Sequence, residues 1–248
     1  DDSDTINLTT TTKQTLASGT SITMSGEFDT IDASALSRNV GLTGLATAST
    51  LEGGTGNDTL TGGAAADSLI GGTGSDDFVM DATVRSAEDF LDGFTVNEDQ
   101  IGNFDISDLE GDAAVADQVL VGATATSLAA GAVVTTTVTG ALDLGTVATA
   151  NLLIVSGDFT NAQLSTALEN GGSRALTLNG QFDDNDFFLA AYDDGTNSYI
   201  AMVENQSGGN LANDALAAAG NLTVTDIVTI EGLTDVSTMD DADFLAYV

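Results

Sequence analysis

Gly53-Gly54-Thr55-Gly56-Asn57-Asp58-Thr59-Leu60-Thr61, Gly62-Gly63-Ala64-Ala65-Ala66-Asp67-Ser68-Leu69-Ile70 and Gly71-Gly72-Thr73-Gly74-Ser75-Asp76-Asp77-Phe78-Val79 follow one another without a gap. Each unit fits G-G-x-G-x-D-x-U-x, where U is a large apolar residue, with Ala65 as the one departure. Self-similarity at a fixed short period is the mark of a stacked repeat architecture. Glycine permits positive φ and close backbone approach in tight turns. Aspartate offers a hard oxygen ligand, and turn carbonyls offer more. The intervening Thr-Leu-Thr, Ser-Leu-Ile and Asp-Phe-Val stretches are too short to be independent strands. They become stable only when stacked, with the apolar side chains buried between layers.

Working outward, a step of nine back from Leu60 reaches Leu51 and then Leu42. The apolar ladder therefore starts before the glycines do, and residues 29–44 read as a lead-in coil without a metal turn. A flexible glycine linker would not keep Asp and a large apolar residue at fixed offsets three times over. Phosphate cradling is excluded by Asp58, Asp67 and Asp76, and no P-loop lysine follows.

These units resemble the RTX family of calcium-binding parallel β-rolls. The resemblance implies that each six-residue turn binds calcium, each three-residue strand stacks, and two nonapeptides make one coil. Turns on the same side are then eighteen residues apart. Carried onto this chain, the implied calcium ligands are Gly53, Thr55, Gly56 and Asp58; Gly62, Ala64 and Asp67; and Gly71, Thr73, Gly74 and Asp76. Asp58 and Asp76 fall on one side and flank a shared calcium. Asp67 falls on the other, where its neighbours eighteen residues away are Ser49 and Arg85. A good site at Asp58 and Asp76 and a weaker or differently completed one at Asp67 are expected, with Ala65 worsening the middle turn.

Past the roll, Ala87–Phe94, Glu98–Ile101 and Phe104–Ser107 are similar to the closing element that follows RTX rolls. Two extra residues, Gly102 and Asn103, interrupt the match. Asp89, Asp92, Glu98 and Asp99 read either as a second calcium site at the open end or as a solvated loop.

Composition points the same way. The 248 residues hold 4 Lys and Arg against 38 Asp and Glu, a net charge of −34, with no His, Cys, Pro or Trp. These zeros exclude the usual zinc sites, a disulfide framework, thiol nucleophiles and Ser-His-Asp chemistry. Four basic residues exclude a basic footprint on nucleic acid. Charge of one sign destabilises compact states, and bound calcium is the economical offset. There is no apolar run long enough for a membrane span, and the Asp1-Asp2-Ser3-Asp4 start reads as the tail of a longer protein.

The second half predicts a β-rich α+β region. Residues 114–150 are rich in Ala, Val and Thr, and 132–139 is β-prone. Asn151–Val155 reads as a buried strand. Residues 161–170 read as a helix, capped by Thr160 or Asn161 and followed by Gly171. Residues 186–192 and 198–204 flank Asp193-Asp194-Gly195-Thr196-Asn197, a hairpin signal. Residues 210–220 predict a short helix and 222–230 a strand. The acidic clusters Asp183–Asp186 and Asp193-Asp194 either bind calcium or cap turns, and capping is the commoner role. At the terminus, Asp240, Asp241 and Asp243 precede Phe244-Leu245-Ala246-Tyr247-Val248. That ending resembles the export signal of type I secreted proteins; an ordinary final strand or helix is the other reading.

The expected fold is mainly β: lead-in coils over 1–44, a calcium roll with its closing element over 45–110, and a β-rich α+β region over 111–248. The expected function is non-catalytic: a calcium-dependent structural or assembly module of a secreted bacterial surface protein, partnered by itself, by surface-layer subunits, or by anionic polysaccharide bridged through calcium. No role with nucleic acid or in membrane insertion is expected. An accessory tail of a secreted carbohydrate-active enzyme or protease is the alternative.

Overall fold

In the computed structural model, the residues described are 5–7, 20–23, 30–44, 46–63, 65–80, 88–96, 98–102, 135–143, 152–169, 171–177, 187–206 and 220–245. Residues 5–7, 20–23 and 143 are described by backbone only. The helix expected at 210–220 lies outside them up to residue 219, as do the cluster Asp183–Asp186, the Phe104–Ser107 run, Ala64 and Arg85.

The first ten strands alternate between two parallel sheets. One sheet begins with β1 (Thr5–Asn7), the other with β2 (Thr20–Thr23). They continue with β3 (Thr30–Asp32), β4 (Val40–Thr43), β5 (Thr50–Gly54), β6 (Thr59–Thr61), β7 (Ser68–Gly72), β8 (Asp77–Val79), β9 (Asp89–Asp92) and β10 (Gln100–Gly102). Odd-numbered strands of this set stack in one sheet and even-numbered strands in the other. Within the repeats the register is Leu51↔Leu69 and Leu42↔Leu60↔Phe78, eighteen residues per coil as expected. Each strand is too short to bury anything alone, but stacking leaves Leu42, Leu51, Leu60, Leu69 and Phe78 fully buried. Burial of each such side chain stabilises by roughly 1.5–3 kcal/mol, so the ladder supplies the roll's cohesion.

The eighteen-residue step fails after β8. Leu69 pairs with Leu91, and Phe78 pairs with Ile101. Extra residues are taken up by the connection between β8 and β9 and by the 93–99 turn, while the apolar ladder stays in line.

The rest of the chain adds β11 (Thr135–Val138), β12 (Leu142–Asp143), β13 (Leu152–Asp158), helix α1 (Asn161–Leu168), β14 (Leu176–Thr177), β15 (Phe187–Asp193), β16 (Ser198–Asn205) and β17 (Leu222–Ile230). The expected helix carries a capping box. The Gln163 N–H donates to Thr160 Oγ1, and the Thr160 N–H donates to Gln163 Oε1. The expected hairpin is antiparallel, from Phe187↔Glu204 to Asp193↔Ser198. Asp194 Oδ1 accepts from the Thr196 and Asn197 N–H groups, so the turn-capping reading holds there.

β12 and β14 pair as a separate two-stranded parallel sheet; the other strands continue the sheet that begins with β1. β17 pairs in parallel with β9, extending the sheet in the order β1-β3-β5-β7-β9-β17-β16-β15-β13-β11. The second sheet is covered at the same end by a parallel bridge between Ile101 and Phe244. Leu245 N–H donates to Ile101 O, and Gln100 Nε2 donates to Ala242 O. The roll's last coil thus has both edges paired, which removes the hazard of an open edge. The terminal segment, up to Leu245, is built into the fold.

Candidate metal centre

Among the described residues the turns 33–39, 53–58, 71–76 and 93–99 carry the chain from the β1-containing sheet to the β2-containing sheet, and the last three end in aspartate. The 62–67 turn runs the opposite way, on the other flank. The aspartates that end these turns, Asp58, Asp67, Asp76 and Asp99, and Asp89 at the start of β9 are all buried, 1–3% exposed.

They form two columns. On the first flank the N–H of Asp76 donates to Asp99 Oδ1 at 2.7 Å, that of Asp58 to Asp76 Oδ1 at 2.7 Å, and that of Val40 to Asp58 Oδ1 at 2.8 Å. On the second, the Asp67 N–H donates to Asp89 Oδ1 at 2.9 Å, and the Ser49 N–H to Asp67 Oδ1 at 2.7 Å. One oxygen of each carboxylate is thereby spent on tying its coil to the preceding one. The pairing of Asp58 with Asp76 and of Asp67 with Ser49 is as expected. The site at Asp67 is differently completed: the next coil offers it Asp89, a carboxylate, in place of Arg85, because extra residues before β9 move the register past position 85.

The glycines are required mainly for space. A Cβ at Gly53 would lie 2.4 Å from Gly71 O and 2.5 Å from Asp58 Oδ2; one at Gly71 would lie 2.5 Å from Asp76 Oδ2. At Gly62 it would lie 3.2 Å from both Asp67 Oδ2 and Asp89 Oδ2. Positive φ, expected of these turns, occurs at Gly72 (101°) and Gly74 (137°). Gly56 packs on the Arg38 carbonyl and Gly74 on the Gly56 carbonyl. Thr55 and Thr73 are exposed at the turn tips, where their N–H groups donate to Leu36 O and Gly54 O of the coil before.

Burial sets the electrostatics. Desolvation is the largest influence on every one of these aspartates and raises each above the ordinary carboxylate range. Asp76 is pushed up to about 6, with the Asp58 N–H pulling down and the charges of Asp99, Asp58 and Asp77 pushing up. Asp89 is pushed up to about 7, opposed by the Asp67 N–H and reinforced by the Asp67 charge. The columns therefore hold negative charge at a cost that a cation would relieve.

The donor set suits calcium. Asp58 Oδ2 is buried and has no hydrogen-bond partner, a costly state that a metal bond would relieve. Among the described residues no three acidic groups converge on one point, so turn carbonyls must complete any shell, as hard oxygen ligands can. The second oxygens of Asp58 and Asp76 sit in cradles that only glycine leaves open.

A parallel roll with glycine turns and inward aspartate columns defines a calcium-binding β-solenoid. Residues 43–78 match the family model of the RTX calcium-binding nonapeptide repeat, in four copies. That segment is an RTX calcium-binding array, with the unit before Gly53 as its fourth copy, in which Ser49 stands in the aspartate place. No curated protein and no solved structure matches the chain. Repeats of this family are typical of secreted proteins. Among the described residues no helix is long and apolar enough to cross a membrane.

Proposed function

We propose that the chain is a calcium-dependent structural and assembly module of a secreted bacterial cell-surface protein, such as a surface-layer, adhesin or filament subunit, and that it is not an enzyme. The observation that supports this reading is the pair of buried aspartate columns, held one coil apart in a chain with net charge −34. Where calcium is scarce these carboxylates repel and the roll is disfavoured. Where calcium is plentiful, binding to the folded form alone becomes folding free energy. Calcium supplies charge neutralisation and cross-coil ligation; the aspartates, glycines and carbonyls of Gly53, Thr55, Gly56, Gly62, Gly71, Thr73 and Gly74 shape its place. The partners of this reading are further copies of the chain, other surface-layer subunits, or anionic surface polysaccharide bridged through calcium.

Size analysis of the purified chain with and without millimolar calcium tests both parts. Compaction followed by growth into large assemblies is the expected result. A compact monomer at all calcium concentrations would favour the accessory tail of a secreted carbohydrate-active enzyme or protease.

A further inference from the structure

We propose that Asp89 and Asp99 carry the calcium array one coil beyond the nonapeptide repeats on each flank, and that metal held there locks the C-terminal sheet onto the roll. This rests on the calcium reading above. Both residues lie outside the matched segment 43–78 and outside the nine-residue spacing.

The structure nevertheless puts them in the same position as the repeat aspartates. Each stands two residues ahead of a fully buried apolar side chain, Leu91 and Ile101, as Asp58, Asp67 and Asp76 stand ahead of Leu60, Leu69 and Phe78. Each gives Oδ1 to the N–H of the aspartate one coil earlier, the bond that joins Asp58 to Asp76. At Gly62 the second oxygens of Asp67 and Asp89 approach one spot, each 3.2 Å from where a Cβ would stand. Asp67 Oδ2 also accepts from the Gly63 N–H at 2.6 Å; Asp89 Oδ2 adds a second carboxylate oxygen to the same glycine cradle, a pair that turn carbonyls can complete around a cation. Asp92 and Glu98, the other acidic residues of this region, are exposed and outside both columns.

The metal would sit where the two halves of the fold join. Asp89 pairs with Val228 and Leu91 with Ile230, and Glu231 N–H donates to Leu91 O. Ile101, two residues after Asp99, bridges Phe244. Neutralising Asp89 and Asp99 fixes β9 and β10, the strands on which β17 and the terminal segment are laid. The order of the C-terminal sheet is thereby coupled to calcium, though its own strands hold no repeat.

The test uses the full chain. Bound calcium is counted by equilibrium dialysis, and the stacked Tyr192–Tyr199 pair of the C-terminal sheet, 4.9 Å between ring centroids, is followed by near-ultraviolet circular dichroism. Asn keeps the Oδ1 acceptor and removes the charge. Asp89→Asn and Asp99→Asn should each bind fewer ions than the parent chain and need about tenfold more calcium for the tyrosine signal. Asp92→Asn should match the parent. Unchanged counts and midpoints in the first two variants would overturn the proposal while leaving the repeat sites standing; a parent chain that binds no calcium would overturn the calcium reading itself. Hydrogen exchange on the unmodified chain provides a measurement independent of variant folding. Val228–Ile230 should gain protection at the same calcium concentration as Asp67, and protection that ignores calcium would refute the lock.

Discussion

Asp67 and Asp89 are twenty-two residues apart in sequence yet one coil apart in the roll, with the Asp67 N–H on Asp89 Oδ1 at 2.9 Å. Asp76 has carboxylates on both sides, Asp58 and Asp99, whereas Asp67 has Ser49 on one side and Asp89 on the other. Loss of Asp76 therefore removes a ligand from two coil junctions at once. Asp76→Ala should weaken calcium binding more than Asp67→Ala, and both should lower it. Calorimetric titration at neutral pH checks the order, and equal losses would contradict the shared position of Asp76.

Acid should substitute for metal. Both Asp76, raised to about 6, and Asp89, raised to about 7, sit above the ordinary value of 3.8 in the folded chain. A raised carboxylate favours the folded form when protonated. Its contribution is full below about 3.8 and is lost as pH rises through 6 to 7. The metal-free chain should therefore show more β-structure near pH 4.5 than at pH 8, by far-ultraviolet circular dichroism in chelator. Calcium binding near pH 6.5 should release protons, and should weaken on further acidification. Metal-free β-structure that instead rises with pH would refute this account.

Turn glycines should differ in their tolerance of substitution. At Gly74, φ is 137° and a Cβ would come within 2.0 Å of Gly56 O; at Gly72, φ is 101° and Gly54 O is 2.1 Å away. A β-carbon there meets both an unfavourable backbone region, at about 1–3 kcal/mol, and a carbonyl fixed by the stack. Gly74→Ala and Gly72→Ala should lower the thermal midpoint in calcium by several degrees. Gly140→Ala, with open space around it, should leave it unchanged.

The repeat fold was legible because Asp and a large apolar residue recur at fixed offsets from Asp58 to Phe78, the signature of a stacked repeat. The β15–β16 hairpin, α1 and β17 were legible for local reasons: Asp194-Gly195, the Thr160 cap and the apolar run at 227–230. Asp89 was legible as an acidic residue of the open end but not as the neighbour of Asp67, because counting by eighteen reaches Arg85 and the extra residues before β9 break the count. The surviving signal was shorter, an aspartate two places before a buried apolar residue, and it holds at Asp89-Phe90-Leu91 and Asp99-Gln100-Ile101. The pairing of β9 with β17 was not legible at all. It joins strands well over a hundred residues apart, and nothing in local propensity selects that partner.

The terminal segment is at once the proposed export signal and a packed part of the fold. Asp240 and Asp243 form a capping box around the 3-10 turn Asp241–Asp243, and Phe244, 5% exposed, bridges Ile101. Deleting residues 243–248 should abolish secretion, the outcome the export signal requires. It should also uncover the edge of β10 and remove a buried aromatic, where truncations of this size cost about 3–5 kcal/mol. The single substitution Phe244→Ala separates the effects, since it keeps the acidic residues and the length of the terminus. It should lower the thermal midpoint in calcium and raise the calcium needed to fold the roll, with less effect on the amount exported. Normal secretion of the deleted chain would refute the export reading, and an unaltered midpoint in Phe244→Ala would show that the Ile101 bridge does not hold the end of the roll.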